Sequence, residues 1–184
     1  MRVRDSVIEM LTCWRAPNPA QNALREAVLA YVLARPDACR RGAETGHVTA
    51  SALVLDSDGT NTLLTLHPRL HRWVQLGGHC EDDDTDIVAA ALREAVEESG
   101  VDELSIDPEL AAIHAFPITC SLGVPTRHLD LQFICRAPLG ASITRSDESD
   151  DLRWWPLDGL PHTSDDGLRG LVSLARQRLA SGSA

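Results

Sequence analysis

The sequence predicts an α+β fold: an α/β/α sandwich around a mixed sheet, with a helical appendage ahead of it. Three observations carry that prediction. Apolar residues recur at helical spacing through the first 33 residues, the period becomes strand-like from His47, and one alanine-rich helix, Ile87 to Ser99, interrupts the strands. The 184 residues, 43% of them hydrophobic, suit one compact domain with a small addition. Residues 1–45 are read as a two-helix appendage and residues 46–184 as the main domain.

Val3, Val7, Met10, Leu11 and Trp14 make one helical stripe, which Pro17 and Pro19 stop. Leu24, Ala27, Val28, Tyr31 and Val32 make a second, over about Ala20 to Leu33. Val48 to Leu55, the turn Asp56-Ser57-Asp58-Gly59 and Thr60 to Leu66 read as a hairpin. Trp73 to Leu76 reads as a short strand ending at Gly77-Gly78. Asp84 or Thr85 is placed to cap the helix from Ile87, and Gly100 stops it. Leu110 to Ile118, His128 to Cys135 and Leu152 to Trp155 follow as strands, and Leu168 to Leu179 closes the chain as a helix.

The two N-terminal stripes need a cover, because apolar patches of that size are a liability when exposed. The choices are the outer face of the sheet or the matching surface of a second copy, and the expectation leans to a homodimer. No apolar run approaches the roughly 20 residues of a membrane span, and Met1-Arg2-Val3-Arg4-Asp5 lacks a signal-like apolar stretch, so a cytoplasmic protein is expected. The five cysteines, Cys13, Cys39, Cys80, Cys120 and Cys135, are scattered and include no C-x-x-C pair, which indicates neither a disulfide framework nor a structural zinc site. They are expected as small core or surface residues.

The formal charge of −10, from 27 acids against 17 Lys and Arg, argues against a nucleic-acid-binding face, which needs clustered positive charge. Between Glu81 and Glu98 lie eight acids and one base, Arg93. A solvated acidic face is the ordinary reading of such a run. Spacing argues for more. Glu94, Glu97 and Glu98 stand at i, i+3 and i+4, so they leave one face of the helix, taken here as its solvent side, while Leu92, Ala95, Val96 and Ser99 face the core. Like charges so placed cost about a few tenths of a kcal/mol per pair, and a hard divalent cation reverses the sign by binding oxygen ligands and bridging to phosphates.

Gly77-Gly78-His79-Cys80-Glu81 through Arg93-Glu94-Ala95-Val96-Glu97-Glu98-Ser99-Gly100-Val101 resembles the Nudix box. At average residue frequencies Arg-Glu-x-x-Glu-Glu-x-Gly arises by chance about once per million positions. The flanking hairpin, the later strands and the Trp154-Trp155-Pro156 segment extend the resemblance over roughly residues 46 to 180. One departure stands out. Five residues after Gly78 comes Asp84, and eight residues rather than the family's seven separate it from Arg93; counting back seven gives Thr85. The departure bears on the loop geometry and the partner of Arg93, and leaves Glu94, Glu97 and Glu98 in register.

The resemblance implies a Nudix-like sandwich and Mg²⁺-dependent (or Mn²⁺-dependent) hydrolysis of the diphosphate linkage in a nucleoside diphosphate attached to another group. By motif position it implies Glu94, Glu97 and Glu98 as metal ligands, with the backbone carbonyl of Gly77, and Arg93 as an orienting residue. A water's proton would pass to one of these acids or to an acid of the later loop, with Glu148, Asp150 and Asp151 as candidates. A non-catalytic module that binds a nucleotide or metabolite for regulation is the alternative, favoured by the altered loop at Asp84.

Other residues have plainer readings. His128, Asp130 and Gln132 alternate with Leu129, Leu131 and Phe133, and a solvent-facing edge is preferred over the border of a substrate cleft. Trp154 and Trp155 point to opposite faces and are expected to pack under the closing helix. His67 and His71 flank Pro68 in a loop, where a metal role beside so hard an acidic site is not expected. Cys80 has no neighbouring base to activate it.

Overall fold

A computed structural model describes residues 3–119 and 123–182. Cys120 and Ser183, read from sequence as a minor core or surface residue and as part of the tail, lie outside them. The elements in order are α1 (Val3–Cys13), α2 (Pro19–Ala34), β1 (His47–Leu55), β2 (Asn61–His67), β3 (Arg72–Val74), β4 (Leu76–His79), α3 (Ile87–Ser99), β5 (Ser105–Thr119), β6 (Pro125–Arg136), β7 (Asp151–Pro156) and α4 (Asp166–Ser181). The α+β class stands, with one mixed sheet ordered β3-β2-β1-β6-β5, β4 added to β1 and β7 added to β2. Among the described residues only the β1–β6 pairing is parallel.

β1 is buried along its whole length, and its two faces explain the layers. Val48 and Ala50 pack with Ile87, Ala90 and Ala91 of α3 and with α1 and α2, while Ala52 and Val54 meet Ala95 of α3. On the opposite face Leu53 and Leu55 pack against Leu168, Leu171 and Val172 of α4. The rest of that second face, His47, Thr49 and Ser51, is polar yet buried.

The N-terminal stripes are covered inside the chain. Val3, Val7, Leu11, Trp14, Val28 and Val32 join the core cluster that includes Val48, Ile113 and Phe133. Polar contacts fix the same docking: Ser6 Oγ accepts the Ile87 N–H at the start of α3 at 2.9 Å, and the Gln21 amide brackets Ile113 on edge strand β5 at 2.7 and 3.0 Å. The surface that suggested a second copy is therefore already occupied.

Four local readings change. The strand expected over Trp73 to Leu76 is two strands, β3 on β2 and β4 on β1, parted at Gln75, whose amide donates to Ser51 and Asp130. Asp86, rather than Asp84 or Thr85, caps α3, its carboxylate accepting the Ala89 N–H at 2.9 Å. β6 lies between β1 and β5, so His128, Asp130 and Gln132 face the protein interior and not a solvent edge. Trp155 packs on the α4 side as expected, but Trp154 packs on the α3 side with Leu92 and Val96, because strand alternation puts the two on opposite faces. Among the described residues no helix is long and apolar enough to cross a membrane.

Candidate active site

The glycines of β4 lie antiparallel to β1, with Gly77 opposite Ser51 and Gly78 opposite Ala50. A Cβ at Gly77 would stand 2.3 Å from the Ser51 Cβ and 2.6 Å from the Ala50 carbonyl oxygen. One at Gly78 would stand 2.7 Å from both carboxylate oxygens of Glu94. The pair is therefore needed for two separate reasons, sheet contact and room for a carboxylate. Gly77 also donates its N–H to Glu98 Oε2 at 2.8 Å, tying strand to helix.

α3 then presents the three glutamates in graded environments. The Glu97 side chain is 58% exposed and the Glu94 side chain 14% exposed. Glu98 is partly buried beneath the glycine strand, so the set does not lie on the solvent side as a whole. Burial pushes Glu94 up to about 7 against the favourable charge of Arg93. It pushes Glu98 up to about 8 against the Gly77 hydrogen bond, with help from the charges of Glu94, Glu148 and Glu97. A cation bound between these carboxyls would offset that cost.

Arg93 organises the loop. Its guanidinium donates to both oxygens of Asp84 at 2.9 and 3.0 Å, to the His79 carbonyl at 2.9 Å, and to Glu94 and Glu97 at 3.1 Å each. Asp84 Oδ2 also accepts the Glu81 N–H at 2.7 Å, closing the turn that holds the extra residue. The Asp84 carboxyl is held below its ordinary value: the Arg93 and Glu81 hydrogen bonds outweigh the opposing cost of burial. Thr85 instead donates its hydroxyl to Asp86 at 3.2 Å. The partner left open by the spacing is Asp84.

A cavity of about 530 Å³ gathers Gly77, Gly78, Glu94, Glu97, Glu98 and Glu148. Of the three acids suggested for the later loop, only Glu148 borders it, joined by Asp147, which the sequence reading did not single out. Asp150 instead pairs its N–H with the Leu66 carbonyl, and Asp151 opens β7 and bridges to Arg153. His67 and Arg69 also line the cavity, whereas Cys80 is buried and its thiol pushed well up by desolvation.

A smaller cavity of about 210 Å³ opens beside the first and shares Gly77, Gly78 and His67 with it. Its floor is the polar part of β1 and β6. Asp130 there accepts from Thr49 Oγ1 at 2.9 Å, Ser51 Oγ at 2.7 Å, Gln75 Nε2 at 3.2 Å and Gln132 Nε2 at 3.1 Å. Phe116 and Ile118 of β5 supply an apolar wall.

The donor set suits a hard divalent cation, since carboxylate and carbonyl oxygens are the ligands that such ions take and the buried, proton-hungry Glu94 and Glu98 are what a cation would relieve. The NUDIX domain family model matches residues 45–174. Among curated proteins no sequence relative is matched. Among solved structures, an Ap4A hydrolase binary complex from C. elegans is similar at 20% identity and TM-score 0.57, over 73% of this chain and 98% of that one. A NUDIX family hydrolase from Clostridium perfringens is similar at 22% identity and TM-score 0.57, over 72% and 97%. A UDP-X diphosphatase is similar at 16% identity and TM-score 0.55, over 96% of both chains, so its likeness reaches the N-terminal helices. The model match spans most of the 184 residues and includes the glycine strand, the Arg93 clamp and the three glutamates, and the chain belongs to the Nudix family.

Proposed function

We propose that the protein hydrolyses a diphosphate linkage in a nucleoside diphosphate joined to another group, using Mg²⁺ or Mn²⁺. The observation that carries this reading is the convergence of Glu94, Glu97, Glu98 and the Gly77–Gly78 strand with Glu148 on one cavity. In it, the three glutamates and the Gly77 carbonyl would hold the cation. The bound ion supplies charge neutralisation at the phosphates and acidifies water.

The chain's own residues do the rest. Arg93 fixes Glu94 and Glu97 from one side and the His79 carbonyl from the other, so the carboxylates reach the substrate already placed. Glu148, exposed on the facing loop, is the acid in position to take a proton from the attacking water. Arg69, which also lines the cavity, supplies positive charge toward a phosphate. The adjoining smaller cavity, with its hydrogen-bonding floor and the Phe116 ring, is the place for the nucleoside end.

The regulatory-module alternative rested on the altered spacing at Asp84. Asp84 nonetheless pairs with Arg93, which removes its support. Phosphate or diphosphate release over a panel of nucleotides, with and without Mg²⁺, tests the proposal. Metal-dependent release lost in Glu98→Gln is the expected result. No release from any nucleoside diphosphate derivative would return the non-catalytic reading.

A further inference from the structure

Three histidines from three neighbouring strands meet on the polar face of the sheet. His47 of β1 lies opposite His128 of β6 in the parallel pairing, and His79 of β4 lies opposite Thr49, two residues from His47 on the same face. The ring centroids stand 4.9 Å apart for His47 and His128, 5.0 Å for His47 and His79, and 5.1 Å for His79 and His128. One nitrogen from each ring lies within 4.8 Å of the others. His79 lies within the Nudix box and His47 and His128 outside it, and none of the three belongs to the glutamate cluster.

Two of the rings present a nitrogen with no use inside the protein. His47 is 1% exposed and His128 is 9% exposed, and the Nε2 atom of each is buried with no hydrogen-bond partner. Leaving such atoms unpaired is costly, and they ask for a ligand. The His47 tautomer is also set. Its Nδ1 lies 3.1 Å from the Ala43 carbonyl oxygen, which can only accept, so Nδ1 carries the proton and Nε2 of the neutral ring presents its lone pair. A backbone carbonyl holding the far nitrogen of an imidazole is the usual arrangement behind a metal-binding histidine.

We propose that His47, His79 and His128 form a second metal site, separate from the glutamates, for a borderline transition ion of the Zn²⁺ class. Three imidazoles and no hard oxygen among them select such an ion over Mg²⁺. Four-coordinate zinc, with nitrogens at about 2.1 Å, sets its ligand atoms roughly 3.4 Å apart, so small ring rotations close the site. Asp130, two residues beyond His128 on the same face, contributes nearby negative charge. The ion would fasten the end of β4 to β1 and β6. His79, whose carbonyl Arg93 holds, also borders the cavity of the glutamates, so the site would brace the loop that carries the box. This proposal does not depend on the hydrolase reading.

The test uses the full-length protein after treatment with a chelator, titrated calorimetrically with Zn²⁺ in millimolar Mg²⁺, which keeps the glutamates occupied. One equivalent bound at micromolar affinity or tighter is expected, with a visible Co²⁺ spectrum of a four-coordinate site. His79→Gln should weaken binding at least about tenfold, and Glu94→Gln/Glu98→Gln should leave it unchanged. His128→Gln serves as a second probe if circular dichroism shows it folded. Absence of Zn²⁺ binding by the native chain overturns the proposal, as does binding indifferent to His79→Gln or lost with the glutamates.

Discussion

The guanidinium of Arg93 grips both carboxylate oxygens of Asp84 across nine positions of sequence, although the box places one residue more than the family spacing between them. The turn closed by the Glu81 N–H on Asp84 absorbs the insertion and leaves α3 in register. Asp84→Ala should therefore loosen Arg93 and lower turnover by about tenfold with unchanged far-UV circular dichroism, while Thr85→Ala should change nothing. Equal activity in the two variants would strip the clamp of its role.

Glu97→Gln and Glu98→Gln are each expected to reduce kcat by at least about a hundredfold. Their stabilities should part company. Glu98→Gln removes a carboxyl that burial already makes hard to ionise, so the metal-free variant should melt no lower than the native protein at alkaline pH; Glu97, largely exposed, should leave the melt unmoved. A collapse of the fold in either variant would mark the residue as structural.

The two glycines should fail differently. Gly77→Ala drives a methyl into the backbone of β1, so it should lower the melting temperature and soluble yield. Gly78→Ala meets only the movable end of Glu94 and should cost about tenfold or more in turnover with a smaller change in melting. The reverse pattern in paired melting and kinetic measurements would contradict this account of the strand.

Protonation gives the metal-free protein two opposed limbs of stability. Glu94 and Glu98 titrate near 7 and 8 in the fold against an ordinary 4.5, so their contribution is complete below about pH 4.5 and is lost as pH rises through 7 to 8. Burial, aided by the neighbouring imidazoles and the charge of Arg41, holds His79 at about 3 and His128 at about 4 against an ordinary 6.5, so theirs is complete above pH 6.5 and is lost as pH falls toward 4 and 3. Melting temperature should peak near about pH 6, and Mg²⁺ should lift the alkaline limb much more than the acid one. A Mg²⁺ effect equal at both ends would show that the cation is not reaching these carboxyls.

Deleting residues 1–45 should yield a protein that aggregates or melts far below the full chain. The cut removes the cover of Ile87, Ile113 and Phe133 and the Ser6 oxygen that receives the first N–H of α3. Sedimentation and thermal melts check it. A well-behaved truncated protein would make the appendage dispensable to the core.

The local order of the chain was enough to predict the four helices, the β1–β2 hairpin and the box, because each rests on periodicity, capping or motif spacing within about 25 residues. The carboxylates at i, i+3 and i+4 share a helix face whatever surrounds them. What alternation could not reveal was which faces are buried: His128, Asp130 and Gln132 read as an edge, yet the parallel pairing of β1 with β6, separated by most of the domain, puts them in the interior. The same long-range pairing brings His47, His79 and His128 together from positions that share no motif. The choice of Glu148 over Asp150 and Asp151, and the cover over α1 and α2, were likewise tertiary decisions. Sequence spacing sets which side chains one element can present together, but only the packing of several elements decides which of them lose water and acquire partners.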